Sequence, residues 1–187
     1  MVNLKENYQE KAIPYFREQG YKNTLAMPCI QKVVINIGLG SILKGSEAAK
    51  DLLKDIKEDI AALSGQVPGE TKARSSVAGF GVREGQLMGL KVTLRGKRMV
   101  DFLERLINIA LPRTKDFAGL GERNFDYQGN LTIGVGDYSI FPETASSKVL
   151  QRLKRSVGLE ISVITTASRR EDGIHLLKHL GFPIRNV

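Results

Sequence analysis

Two histidines near the end of the chain have the spacing of metal ligands. His175 and His179 are four residues apart, which places both on one face of a helix. In zinc peptidases a glutamate follows the first histidine, but here the next residue is Leu176, and the sequence offers no evident third ligand. The pair therefore favours a solvated helix surface over a metal site, and we expect neither a metal nor a cofactor.

Two glycine-containing segments carry only part of a phosphate-binding pattern. Gly38-Leu39-Gly40 begins like a dinucleotide-binding fingerprint, but Leu43 stands where the third glycine belongs. Lys44-Gly45-Ser46 holds the residues of a phosphate loop in the wrong order. No spacing in the sequence sets a nucleophile beside its base. We therefore expect no catalytic residues and predict that the chain is not an enzyme.

Polar residues alternate with apolar ones along two predicted strands. Lys32 and Asn36 share one strand face, and Lys91, Thr93 and Arg95 share another. If both strands belong to one sheet, their polar faces form a single platform of hydrogen-bond donors. Arginine and lysine suit phosphate, whereas asparagine and threonine reach ribose hydroxyls or base edges. The platform is consistent with RNA binding, and the alternative is a solvated outer sheet face.

The basic residues of the chain are concentrated around these strands. The whole chain has a formal net charge of +8. Between residues 72 and 98 one acid, Glu84, stands against seven basic residues: Lys72, Arg74, Arg83, Lys91, Arg95, Lys97 and Arg98. Such segregation is what electrostatic docking to a polyanion requires, and nucleic acid is the commonest polyanion.

The composition is that of a globular protein, with 42% hydrophobic and 26% charged residues among 187. Cys29 is the single cysteine, so no internal disulfide can form. Charged residues occupy the place of a signal core, and no apolar run approaches the roughly 20 residues that span a bilayer. We expect no membrane partner and a cytoplasmic location, with an organelle matrix as the alternative.

Hydrophobic periodicity predicts the elements that position the polar faces. Period-two patterns predict strands at residues 29–39, 70–74, 90–94, 131–135 and 159–163. Period-3.6 patterns and caps predict helices at residues 3–20, with a kink at Pro14, at 46–65, 97–110, 147–155 and 171–180. The mixture favours an α+β fold. We predict one domain over residues 1–187, with a mainly antiparallel sheet and helices packed on one face.

A long glycine-rich loop separates two of the strands. Residues 75–89 contain glycines at 79, 81, 85 and 89 and show no periodic apolar stripe. We therefore expect a mobile loop over about residues 72–89. Phe80 at its centre could stack on RNA or fold back as an anchor, and the pattern does not choose between the two.

A series of dispersed motifs resembles the ribosomal large-subunit protein five family, the universal family that binds 5S ribosomal RNA. The motifs follow the family order over nearly the whole chain, and they include Lys32-Val33-Val34-Ile35-Asn36, Leu63-Ser64-Gly65-Gln66, Thr71-Lys72-Ala73-Arg74, Ser76-Val77-Ala78-Gly79-Phe80, Gly89-Leu90-Lys91-Val92-Thr93-Leu94-Arg95-Gly96, Ile140-Phe141-Pro142-Glu143 and Leu180-Gly181-Phe182-Pro183.

This resemblance implies a bacterial-type constituent of the large ribosomal subunit, in its central protuberance. The implied partners are 5S rRNA, large-subunit rRNA, the P-site tRNA, a protein of the small-subunit head and other central-protuberance proteins. The family positions carried over for 5S rRNA are Asn36, Gln66, Thr93 and Arg95, to which the strand pattern adds Lys32 and Lys91.

The resemblance also implies that the glycine-rich loop approaches tRNA and the intersubunit bridge. The residues assigned to this contact are Lys72, Arg74, Ser75, Ser76, Gly79, Phe80 and Arg83. Two rival interpretations are a free-standing RNA-binding or assembly factor that uses the same platform, and an enzyme acting on nucleotides, which the missing catalytic motifs disfavour.

Overall fold

The computed structural model describes residues 2–43, 49–114, 117–145, 147, 149 and 156–185. Its centre is a five-stranded antiparallel sheet in the order β2-β3-β1-β5-β4. The strands are β1 (Ile30–Gly38), β2 (Gly69–Lys72), β3 (Leu87–Leu94), β4 (Leu131–Val135) and β5 (Leu159–Thr165). Helices accompany the sheet, so the predicted α+β class is confirmed.

Alternation along the strands decides which sheet face enters the core. In β1 the side chains of Val33, Ile35 and Ile37 are buried, while the residues between them stay at least partly accessible. The other long strands follow the same rule, and their buried members are Leu90, Val92, Leu94, Leu131, Ile133, Val135, Leu159, Ile161 and Val163. The period-two prediction is confirmed for β1, β3, β4 and β5, because burial of one apolar face of each strand removes that face from water.

The described chain forms two compact units, and the division between them falls within strands β1, β3, β4 and β5. The first contains residues 1–33, 94–133 and 161–187, and the second contains residues 34–93 and 134–160. A single domain over residues 1–187 therefore stays a prediction.

The helices of the first unit begin with α1 (Leu4–Asn7), continue through a π-helical turn at Tyr8–Ala12 and end with α2 (Ile13–Glu18). The Asn3 side chain caps α1 by accepting hydrogen bonds from two backbone amides, as the sequence predicts. Pro14 has no amide hydrogen to donate to the preceding turn, and the wider π turn absorbs that loss. An α-helix restarts at Ile13, next to this proline, whereas a kink there stays a prediction.

The next helix in this unit corrects one prediction. The sequence predicts a helix that ends at residue 110, before Pro112. Instead, α5 (Gly96–Arg105) runs through a π turn at Leu106–Ala110 into α6 (Leu111–Arg113). Pro112 thus lies inside the last turn. As with Pro14, the π turn before the proline lets the chain continue for a few residues instead of stopping.

The final helix of the first unit, α7 (Arg170–Leu180), ends where the sequence predicts, at Gly181 with φ +97°. His175 and His179 lie on this helix, with ring centroids 5.0 Å and 4.6 Å from that of Tyr15. Both histidines are half-buried. The expectation of a solvated surface was therefore wrong, because the aromatic ring of Tyr15 covers this face.

The second unit is built around α4 (Ala49–Ser64), which follows the short α3 (Gly40–Leu43). The apolar stripe of α4 is buried at Leu52, Ile56, Ile60 and Leu63, and Leu53 is half-buried. The helix stops at Gly65 as predicted. The predicted cap at residue 46 and most of the predicted helix over 147–155 lie outside the described residues.

A buried polar cluster links α4 to a later segment of the second unit. The Tyr138 hydroxyl donates to a carboxylate oxygen of Asp59 at 2.9 Å, and the Ser147 hydroxyl donates to the same oxygen. Tyr138 is fully buried. Because a buried hydroxyl needs a partner, this cluster holds Tyr138 and Ser147 against the helix.

Candidate nucleic-acid interface

The outward face of the sheet in the second unit carries three of the predicted site residues. Lys91 is exposed on β3, while Thr93 on β3 and Asn36 on β1 are half-buried. Strands β3 and β1 are hydrogen-bonded neighbours, and each buries the opposite face of its own strand. The structure thus brings an ammonium, a hydroxyl and a carboxamide onto one polar surface.

Two further predicted residues belong to the first unit. Lys32 is half-buried on β1, four residues before Asn36 on the same face of that strand. Arg95 follows the end of β3 with extended backbone and is exposed. Both therefore lie on the polar side that alternation assigned to them.

Arg95 also stands at the start of α5, where cations are electrostatically unfavourable. It is the N-cap residue, Lys97 and Arg98 follow in the exposed first turn, and this turn contains no acid. Because the helix dipole places positive charge at this end, each cation there costs the helix about 0.3–1 kcal/mol. An anion bound against this turn would offset that cost.

Gln66 lies apart from the strands, in the turn between α4 and β2. It is exposed, and the hydroxyl of Ser64 accepts from its backbone amide at 3.3 Å and donates to its carbonyl at 2.8 Å. These two bonds hold the backbone of the turn. They do not involve the side chain of Gln66. Sequence pattern alone did not mark this residue, since only the family resemblance selected it.

The face extends onto residues that sequence reasoning missed. Glu160 on β5 and Gly134 on β4 occupy outward positions in the second unit, and Ser162 on β5 and Thr132 on β4 do so in the first. The amide of Asn36 donates to a carboxylate oxygen of Glu160 at 3.4 Å. The polar residues between the apolar ones of β4 and β5 were the available signal, but only the strand order shows that they adjoin β1.

Glycines line a shallow depression in this face. Its lining comprises Asn36, Gly38, Gly134, Val135, Gly136, Gly158, Leu159 and Glu160, and its volume is about 380 Å³. This size lies within the range of about 300–1,000 Å³ found for ligand sites. Four of its eight lining residues are glycine, which has no side chain to hold a ligand away from the backbone.

The glycine-rich loop between β2 and β3 is shorter than predicted. Residues 87–89 were assigned to it wrongly, because β3 begins at Leu87 and pairs antiparallel with β2, Thr71 opposite Gly89. A Cβ atom at Gly89 would lie 2.2 Å from the carbonyl oxygen of Ile37. This glycine therefore reflects the close approach of two strands and not a mobile backbone.

The remaining loop folds back on itself. At its base the amide of Ala73 donates to the carbonyl of Gln86 at 2.9 Å, and further out the amide of Val77 donates to the carbonyl of Val82 at 2.9 Å. Of the predicted contact residues, Lys72 is the last residue of β2, where it was wrongly assigned to the loop, and it is exposed there. The others lie along the exposed surface of the loop: Arg74, Ser75, Ser76, Gly79, Phe80 and Arg83. Phe80 is 77% exposed at the tip, so it does not enter the core as an anchor. The mobility of the loop stays a prediction.

Two family models match the chain, one described as ribosomal protein L5 over residues 23–83 and one for the C-terminus of the ribosomal L5 family over residues 87–184. The chain belongs to the ribosomal protein L5 family. Three similar proteins bear the name large ribosomal subunit protein uL5. The one from a Roseiflexus species is 45% identical, and those from Syntrophomonas wolfei and Carboxydothermus hydrogenoformans are 42% identical. Each match covers 98–99% of this chain and 98–100% of the relative.

As a member of the ribosomal protein L5 family, the chain is a structural, non-enzymatic component of the ribosome that associates with rRNA. The family resemblance seen in the sequence is thereby confirmed over essentially its full length. Among the described residues, no group of three or more histidine, cysteine or acidic side chains is placed to hold a metal ion. No helix in the described part of the chain is long and apolar enough to cross a membrane.

Proposed function

We propose that this ribosomal L5 family chain is a constituent of the large ribosomal subunit that binds 5S rRNA through the outward face of its sheet. By contacting large-subunit rRNA and other central-protuberance proteins as well, it would attach 5S rRNA to the subunit. Bacterial-type ribosomes are cytoplasmic, and we propose that location, with the matrix of an organelle as the alternative.

The observation that carries this proposal is the donor set on the outward strand positions. Lys91 supplies a cation, Thr93 a hydroxyl and Asn36 a carboxamide, and each is backed by a buried strand face. Rigid backing matters because side chains on a fixed sheet lose less conformational freedom on binding than side chains on a flexible segment. Phosphates, 2′-hydroxyls and base edges of folded RNA match this mixture.

The β2–β3 loop would serve a second set of partners. Its tip presents Phe80, and its flanks present Lys72, Arg74 and Arg83, which are exposed. An exposed aromatic beside cations suits stacking and phosphate contact. We propose that this loop approaches the P-site tRNA and a protein of the small-subunit head, separately from the 5S rRNA contact of the sheet.

Purification of the protein from cells with its bound RNA, followed by sequencing of that RNA, tests the main proposal. We expect 5S rRNA to be recovered in about one-to-one proportion. Sucrose-gradient sedimentation separates a subunit constituent from a free-standing assembly factor. The constituent co-sediments stoichiometrically with the large subunit after a high-salt wash, whereas a factor is released. Recovery of another RNA, or release in high salt, would contradict the proposal.

A further inference from the structure

Ser64, the last residue of α4, carries a hydroxyl that the helix itself does not need. The residue is buried, with 2% of its surface exposed. Burial of a hydroxyl costs free energy unless it is hydrogen-bonded, and serine is a weaker helix former than alanine. Alanine would therefore suit the helix better, so the reason for a serine lies in the groups that its hydroxyl contacts.

The Ser64 hydroxyl joins the end of the helix to the turn that follows it. On the helix side, the carbonyl oxygen of Ile60 lies 2.7 Å from the hydroxyl oxygen. On the turn side, the hydroxyl accepts from the amide of Gln66 at 3.3 Å, and the carbonyl oxygen of Gln66 lies 2.8 Å away. The single hydroxyl hydrogen is shared between the two carbonyls. Ser64 therefore fastens the backbone of Gln66 to the last turn of α4.

The turn has further anchors on both sides. The amide of Gly65 donates to the carbonyl of Ala61 at 2.9 Å, and its φ of +68° is the left-handed conformation that ends a helix. Pro68 is buried, whereas residues 65–67 between it and Ser64 are exposed. Proline also restricts the backbone of the residue before it. The exposed span is thus held at both ends, which limits the backbone conformations open to the residue at its centre.

That central residue is Gln66, whose side chain is one of the proposed RNA contacts. A glutamine side chain offers a carbonyl oxygen and an NH2 group, which pair with a base edge or a ribose hydroxyl only from a suitable position. If the backbone beneath it were free, that position would have to be selected at the moment of binding, at a cost in conformational entropy. The Ser64 hydroxyl lowers this cost because it orders the turn in the free protein.

We propose that Ser64 is a positioning residue for RNA recognition, which touches no RNA itself and holds the backbone of Gln66 so that the Gln66 side chain is preorganised. This inference rests on the proposed 5S rRNA-binding function and adds to it a buried residue outside the RNA contact. In a purely structural role, loss of the hydroxyl would lower stability and leave recognition by the folded protein unchanged. A positioning role instead predicts that the effects of Ser64 and Gln66 on RNA affinity depend on each other.

A double-mutant cycle between the two residues tests this dependence. In filter binding to 5S rRNA, Ser64→Ala should lower affinity about fivefold, because the turn must then be ordered on binding. Gln66→Ala should also lower it about fivefold, the effect of one neutral hydrogen bond. The double variant should bind about as well as Gln66→Ala alone, since no side chain is left to position. Independent losses, roughly 25-fold in the double variant, would overturn the proposal.

Two further variants separate positioning from stability. Ser64→Thr keeps the hydroxyl and should bind 5S rRNA within about twofold of the wild type. Thr144→Val is the matched control, because it also removes a buried hydroxyl bonded to backbone carbonyls, those of Tyr138 and Phe141. It should lower the Tm as Ser64→Ala does and leave 5S affinity unchanged. Equal losses of 5S affinity in Thr144→Val and Ser64→Ala would show that affinity follows stability, and the positioning role would be wrong.

Hydrogen exchange followed by NMR reports on the turn directly, even if the added methyl group of Ser64→Thr does not fit. The amide of Gln66 should exchange faster in Ser64→Ala than in the wild type, while the amide of Gly65 keeps its rate. An unchanged rate for Gln66 would show that the turn is held without the hydroxyl, against the proposal.

The same binding titrations distinguish this inference from the function on which it rests. If the wild type preferred 5S rRNA but Gln66→Ala bound it equally well, Ser64 would have no contact to position, and only the inference would fail. If the wild type bound 5S rRNA no better than an unrelated folded RNA of equal length, the proposed function would fail and the inference with it.

Discussion

At the scale of single residues, the contact between Gly173 and Gly129 fixes how closely α7 lies to the turn before β4. A Cβ atom at Gly173 would lie 2.3 Å from the carbonyl oxygen of Gly129. The three nearest atoms, the carbonyl oxygen, Cα and carbonyl carbon of Gly129, all belong to the backbone, so no flexible side chain can move away. Glycine is unfavourable inside a helix, but Gly173 allows α7 to pack closely against the backbone of Gly129.

Gly173→Ala should destabilise the protein even though alanine is the better helix former. Propensity alone would stabilise the helix by about 1 kcal/mol. The clash should outweigh this gain and cost about 1–3 kcal/mol or more, since backbone must shift. Chemical denaturation measures the change. Gly134→Ala, with open space around the added carbon, is the control and should lose no stability. A more stable Gly173→Ala variant would contradict the packing argument.

His179 should make stability depend on pH. Burial, together with the positive charges of His175, Lys178 and Lys11, lowers the pKa of His179 below 6.5. The unfolded chain therefore takes up a proton at a higher pH than the folded protein does. Stability from this residue is full above about pH 6.5 and falls as the pH drops through 6.5 toward the lower folded value.

Thermal unfolding at pH 7.5 and 5.5 measures this effect. We expect a lower Tm at pH 5.5 for the wild type and a smaller difference for His179→Gln. Carboxylates contribute little in this window because they titrate mainly below it. An equal drop in Tm for the variant and the wild type would show that His179 does not cause the pH dependence.

Such residue-scale effects were only partly predictable from the sequence. The spacing of His175 and His179 placed both on one helix face, but no local pattern indicates that Tyr15, far away along the chain, covers them. Similarly, the glycine at position 89 suggested flexibility until its distance from β1 was known. Contacts between distant segments depend on the tertiary fold, which local patterns do not contain.

At the scale of elements, alternation alone determined which face of each strand is buried. Val92 is 2% exposed, whereas its neighbour Lys91 is exposed. The outward residues of β4 and β5 escaped prediction because their importance depends on the strand order. β5 lies between β1 and β4, a neighbour relation that sequence order does not reveal. Each π turn before a proline was also hidden, since its pattern differs little from that of an α-helix.

Substitutions on the outward and buried faces of β1 and β3 should have different effects. Arg95→Ala should weaken 5S rRNA binding by about 1.5–3 kcal/mol and Asn36→Ala by about 1 kcal/mol, the difference between a charge-assisted and a neutral hydrogen bond. Both variants should keep their circular dichroism spectrum. Val92→Asp should unfold the protein because it buries an unpaired charge. A native Val92→Asp variant beside an unfolded Arg95→Ala variant would invert the face assignment.

The loop should be separable from the sheet. Deleting residues 76–84 and joining the ends with one glycine leaves the hydrogen bond between Ala73 and Gln86 at its base. We expect nearly unchanged 5S affinity, since the outward strand residues remain, and impaired translation or P-site tRNA occupancy in assembled ribosomes. Binding titrations and a translation assay on the same variant test both halves. A loss of 5S affinity as large as that of Arg95→Ala would contradict the division of roles.

At the scale of the whole molecule, net charge and its distribution determine how the chain meets RNA. The excess of +8 is concentrated in the segment that holds β3 and the start of α5. This property was fully visible in the sequence, because charge does not depend on the fold. The fold adds the outward presentation of Lys91 and Arg95 on a rigid strand and its extension. It also exposes one acidic residue, Glu160, on β5.

Binding of the isolated protein to 5S rRNA should therefore weaken steeply as salt is added. Each phosphate neutralised by a basic side chain releases condensed counterion, with a log–log slope of about −0.7 per contact for single strands and −0.9 for duplex DNA. With roughly four to six phosphate contacts, the slope for folded RNA should be about −3 to −5.

The Arg95→Ala variant should have a shallower salt slope than the wild type. The difference should correspond to the loss of about one phosphate contact. A flat salt response in a filter-binding titration would mean that the basic residues do not contact phosphate at all.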